Sequence, residues 1–189
     1  IEKLIKILIE RARLIKNASR KKEYLALLAW IREYSLGRKV RVRVGEDFSE
    51  FANVNGGQIG VAQGSSIGPV LWRIFISLLE EELIPVTQAA GAKYYLYADD
   101  LSVGLEWEKR QDESWAESSI KASRILQLVV DAVIEWANQN NVILSSGKTK
   151  IMNIGRRVSG DDDVNLRVFI EGSVIEEVED YRFLGVIVD

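Results

Sequence analysis

Helical and strand periods succeed one another along the chain. In YLALLAWIREY, residues 24–34, Tyr24, Leu27, Leu28, Ile31 and Tyr34 fall three and four apart with Lys and Arg on the flanks. That spacing predicts an amphipathic helix, which Gly37 ends. RKVRVRV then alternates strictly, so Val40, Val42 and Val44 are expected on one strand face and Arg41 and Arg43 on the other. GED supplies a turn, and DFSEFANV reads as the returning strand of a hairpin. The Gly-rich, polar stretch NVNGGQIGVAQGSS that follows is a loop.

Beyond the loop, Ile67, Val70, Leu71, Ile74 and Leu78 take up a helical period again, with Ser65 or Ser66 near the cap and Pro69 in the first turn. The segment read as this buried helix is SIGPVLWRIFISLLEEEL, residues 66–83. Past Gly91, YYLYADDLSVGL reads as two strands, and an acidic connection runs from Glu106 to Glu117. A second long helix follows, in which Ala122, Ile125, Leu126, Val129, Ala132, Val133, Trp136 and Ala137 keep the period for four turns. NVIL and KIMNIG are expected to be short strands around SSGKT. RVFIEGSVIEEV reads as a hairpin turning at Glu171 and Gly172, and YRFLGVIVD is strand-like. Helices mixed with paired strands predict an α+β fold, a small antiparallel sheet with two long helices packed on one face. The other sheet face is left open to a large ligand.

At 189 residues and 47% hydrophobic, the chain can bury a sizeable core. The N-terminal run LIKILIERARLI is interrupted by Lys6, Glu10, Arg11 and Arg13, so it is neither a membrane span nor a signal-peptide core, and no membrane partner is expected. The chain starts at Ile1 and stops at Asp189 within a strand pattern, and is expected to be a piece of something longer. Its net charge of −3 conceals an asymmetry: residues 1–44 carry 13 Lys and Arg against four Glu, a balance of +9 that leaves −12 for the rest. The basic end can meet a polyanion, although a solvated helix face explains the same charges.

Cysteine and histidine are both absent. Their absence removes thiol nucleophiles, Ser-His triads, histidine bases and the usual zinc sites together. A metal here must sit on oxygen, which favours Mg2+ or Mn2+. SSGKT is not a P-loop, because the position five before Gly147 is Val142 where that loop needs glycine. The adjacent pair Asp99 and Asp100 stands out, since two unit charges about 4 Å apart repel by roughly 4 kcal/mol at an effective dielectric near 20. Neighbouring strand residues point to opposite faces, so both carboxylates can reach one ion only at or near a hairpin turn. An acidic tight turn is the plainer reading of the dipeptide. Tyr94, Tyr95 and Tyr97 are expected to be mainly core, and Trp107 and Trp115 to cap the sheet edge.

GVAQGSSIGPVLW, residues 60–72, and YADD, residues 97–100, together resemble the B and C motifs of reverse transcriptases, in the order and at the distance that family shows. WIREYSLGRKVRVRV is similar to the segment before motif B in non-LTR, LINE-type retrotransposon enzymes. WANQNNVILSSGKTKIM is similar to their D motif and YRFLGVIVD to their E motif, so the resemblance covers roughly residues 24–189. It implies a polymerase palm of ferredoxin-like (RRM-like) form over residues 60–189, with finger and connecting elements over residues 1–59.

The resemblance further implies Mg2+- or Mn2+-dependent nucleotidyl transfer, copying an RNA template from a DNA primer with deoxynucleoside triphosphates, within a longer polyprotein or a ribonucleoprotein. On that basis Asp99 ligates the metal, with Asp100 beside it, and Lys148 approaches the phosphates of the incoming triphosphate. Gln63 and Gly64 touch the template base and the incoming nucleotide, and Gly64 allows close backbone approach. Tyr97 lines the same site, Phe183, Leu184 and Gly185 position the primer end, and Arg41 and Arg43 contact template phosphates. Two departures stand out. Ala62 replaces the family's usual proline, and the aspartate of motif A is not found, since no Asp precedes Asp47 and neither Glu2 nor Glu10 lies in a strand-like context. The alternative expectation is a domesticated or decayed palm, serving as a nucleic-acid-binding or protein-scaffold module without polymerisation.

Overall fold

Asn17 decides where the second helix begins. Its Oδ1 accepts the Arg20 N–H at 3.0 Å, the geometry of an N-cap, and α2 runs Ala18–Ser35 behind α1, Glu2–Leu14. The helix predicted over 24–34 therefore starts about two turns earlier. Gly37, at φ +64, follows its end as expected. The computed structural model describes residues 2–35, 37–53, 64–108, 110–155 and 166–188. They fall into two compact units, Ile1–Ile76 and Ser77–Asp189.

In the first unit the core is a small cluster. Leu4 and Leu8 of α1, Ile31 of α2 and Leu71 are buried together, with Tyr24, Leu28, Ile67, Ile74 and Phe75 packed around them. Leu71 lies in α3, Gly68–Ala90, whose start is tied by the Gly68 N–H donating to Ser65 Oγ at 3.1 Å. Val70, assigned to the apolar face by its spacing, is 56% exposed instead. Between α2 and α3 lies a basic hairpin, with ladders β1 (Lys39–Val40) to β4 (Ala52–Asn53) and β2 (Arg43–Val44) to β3 (Asp47–Phe48).

The second unit holds the rest of α3, which continues through Pro85 to Ala90. Proline there removes one backbone donor, a loss offset by the packing that fully buries Leu83, whose carbonyl also accepts from Thr87 Oγ1 at 2.7 Å. Gly91, at φ +68, ends it. β5 (Ala92–Tyr97) and β6 (Asp100–Leu105) form the longest ladder. α4 (Trp115–Asn140) packs against β6 and against β8 (Phe169–Ile170), and its start carries a capping box between Ser114 and Glu117. Trp107 and Trp115 meet edge to face, with centroids 6.0 Å apart.

The second core is Val168, Ile170 and Ile175, lying against Leu126, Val130 and Ile134 of α4 with Leu144 and Ile151. NVIL is not a strand, and SSGKT contains a 3-10 turn, Ser146–Lys148. β7 (Lys150–Ile151) pairs in parallel with β10 (Glu176–Glu177), and an ion pair joins Lys150 to Glu176. β8 and β9 (Ser173–Val174) make the predicted hairpin about Glu171 and Gly172, both at positive φ. YRFLGVIVD is a hairpin rather than one strand, β11 (Tyr181–Phe183) against β12 (Val186–Val188).

The α+β class holds. In place of one small sheet, however, the described strands form six two-stranded ladders, five antiparallel and one parallel. Most are only two or three residues long, too short to add a third strand. Side chains substitute for the missing strands in places. Gln127 of α4 accepts from the Phe169 N–H at 2.7 Å and donates to the Phe169 carbonyl at 3.0 Å, as a neighbouring strand would. Ser123 Oγ accepts the Arg167 N–H at 3.0 Å. Replacing Gln127 with Leu leaves both Phe169 groups to water, and a loss of about 0.5–1.5 kcal/mol is expected in urea unfolding. Among the described residues no helix is long and apolar enough to cross a membrane.

Candidate functional site

Tyr97 pairs with Asp100, so the β5–β6 hairpin closes on a two-residue turn made of Ala98 and Asp99. Asp99 thus sits in the turn and Asp100 opens β6, the arrangement in which adjacent carboxylates can point the same way. Both are exposed, and no ion pair engages either among the described residues. Water accordingly screens their repulsion, to about 1 kcal/mol at 4 Å and the dielectric of bulk solvent.

Ala98 adopts φ 53, in the left-handed region that costs a residue with a Cβ about 1 kcal/mol. Ala98→Gly relieves that strain at some cost in unfolded-chain entropy, and a net gain of up to about 1 kcal/mol is expected, read as a higher urea midpoint at constant m-value.

The two hairpin faces differ. Ala92 is buried and Tyr94, Leu96, Leu101, Val103 and Leu105 are half-buried on the inner face. The outer face presents Lys93, Tyr95 and Tyr97 opposite Gly104, Ser102 and Asp100. Tyr95 is 61% and Tyr97 64% exposed, which corrects the expectation that the three tyrosines are mainly core; only Tyr94 is partly covered. Strand alternation is the reason, since among the described residues no layer covers the outer face of this ladder.

As a site for a hard cation, the turn offers two adjacent carboxylates, exposed and not ion-paired among the described residues. That donor chemistry suits Mg2+ or Mn2+ keeping several waters. Among the described residues no group of three acidic side chains is placed to hold a metal. The donor set fits the ion in kind and is incomplete in number.

Lys148 ends the 3-10 turn and is exposed. Its carbonyl accepts from the Tyr181 hydroxyl at 3.3 Å, which ties this turn to β11. Phe183, Leu184 and Gly185 form the tip of the β11–β12 hairpin. Leu184 and Gly185 lie at φ 48 and 86, both positive as in a type I′ turn. Lys148 is thus tied to the open end of the β11–β12 hairpin, where Tyr181 pairs with Val188.

Gly64 belongs to the first unit, at φ +78 with open space where a Cβ would stand. Backbone conformation accounts for glycine at that position. Gln63 and Ala62 lie outside the described residues.

Arg41 and Arg43 are on an exposed hairpin face, as the alternation predicts. Sequence reasoning missed their partners. Two residues separate Val40 from Arg43 while three separate Phe48 from Ala52, so the returning strand carries a bulge. Ser49 holds it, its N–H donating to the Val42 carbonyl and its Oγ accepting the Val42 N–H, each at 2.9 Å. The bulge brings Phe51 to the same face as Phe48. The Arg41 guanidinium lies 3.8 Å from the Phe48 centroid and 5.0 Å from that of Phe51. The three-residue spacing of Phe48 and Phe51 in DFSEF, odd for a regular strand, was the available signal.

A family profile described as reverse transcriptase (RNA-dependent DNA polymerase) matches residues 18–188. The RNA-directed DNA polymerases from mobile element jockey of Drosophila funebris and Drosophila melanogaster are each 29% identical to this chain, over 133 and 132 residues. Those alignments cover 70% and 69% of this chain and 13% of each relative, so the chain spans a small fraction of the curated proteins it matches. No solved structure matches it.

Proposed function

The chain belongs to the reverse transcriptase family, and on that premise we propose that it is the palm, with adjoining finger elements, of a non-LTR retrotransposon RNA-directed DNA polymerase. The observation that carries this reading is the tight turn at Tyr97–Asp100, which holds two exposed carboxylates that pair with no cation among the described residues. Asp99 and Asp100 would hold Mg2+ or Mn2+. A bound dication supplies charge stabilisation for phosphoryl transfer and orients the reacting oxygens.

The chain's own residues do the rest. Tyr97 lies directly across from Asp100 on the outer face and presents a ring beside the reacting end of the primer. Lys148 brings a fixed positive charge to the phosphates of a deoxynucleoside triphosphate. Phe183, Leu184 and Gly185 form a stiff tip against which the primer end rests. Gln63 and Gly64 meet the template base and the incoming nucleotide, and Arg41 and Arg43 take template phosphates.

The test is a Mn2+ titration of the chain followed by amide line broadening. Resonances around Ala98–Leu101 are expected to broaden before those of the acidic tract Asp161–Asp163. Equal broadening of the two would remove the metal site, and with it the polymerase reading. A second reading is favoured by the absence of a third carboxylate among the described residues and of any Asp before Asp47. On it, the chain is a decayed palm that binds nucleic acid or protein without polymerising. An aspartate in an apolar strand context encoded upstream of residue 1 would decide for the polymerase.

A further inference from the structure

The basic hairpin contains three carboxylates, on Glu46, Asp47 and Glu50, beside Arg41 and Arg43. Ordinary surface electrostatics would pair them. Instead, among the described residues, both guanidinium groups contact aromatic rings: Arg41 with Phe48 and Phe51, Arg43 with Phe48 at 5.6 Å. Arg43 Nε also donates to the Gly45 carbonyl at 2.8 Å, pinning that side chain along the turn. Arg41 has no hydrogen-bond acceptor there.

Stacking engages the flat face of a guanidinium and leaves its edge, where the N–H donors lie, pointing outward. A planar fork held edge-out matches two oxygens of a phosphodiester. Phe51 joins this stack only because the Ser49 bulge turns it over, and it is 61% exposed, so its ring contributes little to a core. Arg41 itself closes the +9 stretch of residues 1–44, and that charge favours a polyanion as the occupant.

We infer that Phe48 and Phe51 are positioning residues that hold the Arg41 guanidinium edge-out to grip a phosphodiester of single-stranded RNA. The inference rests on the nucleic-acid part of the proposed function and names the residues that prepare the contact. A ring that acts through the arginine loses its effect once the arginine is gone, whereas a ring that stacks on a base keeps it.

The experiment is fluorescence anisotropy of labelled oligouridylate with the full chain over a range of salt. Arg41→Ala is expected to weaken binding about tenfold and to flatten the salt dependence by the roughly 0.7 expected of one lost contact. Phe51→Leu is expected to weaken binding about two- to five-fold with the salt slope unchanged, and to cost nothing further in the Arg41→Ala background. Arg41→Lys, which keeps the charge and loses the planar stack, should match Phe51→Leu in size. Circular dichroism checks that each variant folds.

A Phe51→Leu loss that persists in the Arg41→Ala background overturns the inference in favour of base stacking. Unaltered binding by Arg41→Ala overturns it outright. Failure of the native chain to bind oligouridylate would instead strike the nucleic-acid reading beneath it.

Discussion

On the proposed function, Asp99→Asn in a polymerase carrying this chain is expected to reduce nucleotide incorporation by roughly a thousandfold, the effect of removing several kcal/mol of transition-state stabilisation by a bound dication. The same change should leave the fold alone. Asp99 is exposed, has no ion-pair partner among the described residues and lies in a turn, so its replacement is expected to shift unfolding by no more than about 0.5 kcal/mol. Primer extension on an RNA template and urea unfolding, run on one preparation, read the two effects separately. Incorporation within tenfold of the native level would remove Asp99 from the reaction. A collapse of folding would make it structural.

Leu71→Ala has the opposite profile. Leu71 is 1% exposed and packed against Leu4, Leu8 and Ile31. Truncation removes transfer energy and leaves a cavity, at a cost of about 2–5 kcal/mol. The cluster is small, with few neighbours to relax into the space, so the upper part of that range is expected. Urea unfolding of the isolated chain measures it, and a loss below about 1 kcal/mol would show that the first unit does not depend on this cluster. Together the pair separates a residue held for chemistry from one held for packing.

Several elements were legible because their signals are local. The α4 period and the hairpin at Glu171 and Gly172 each depend on spacing or on a glycine at positive φ. The start of α2 is marked by Asn17, ahead of the first residues of the apolar period. Two other elements carry no such local signal. Leu184 adopts φ 48 in a turn where a leucine gives no turn signal, which concealed the β11–β12 hairpin. α3 runs beyond the quoted segment and through Pro85 to Ala90, because the packing that buries Leu83 outweighs one missing donor.

The candidate site divides along the same line. YADD between two apolar runs is enough to place a carboxylate pair at a hairpin, because strand pairing and turn length are decided within a dozen residues. Residue order by itself also determined that any metal must bind oxygen, since no cysteine or histidine is present. Only the tertiary structure decided that Tyr95 and Tyr97 look outward and that Arg41 lies on phenylalanine rings rather than on a carboxylate. Which strand face is covered depends on elements far away in the chain, and which residues share a face depends on a single inserted residue in the partner strand. Periodicity records neither, because it describes one segment at a time and burial is a property of several segments meeting.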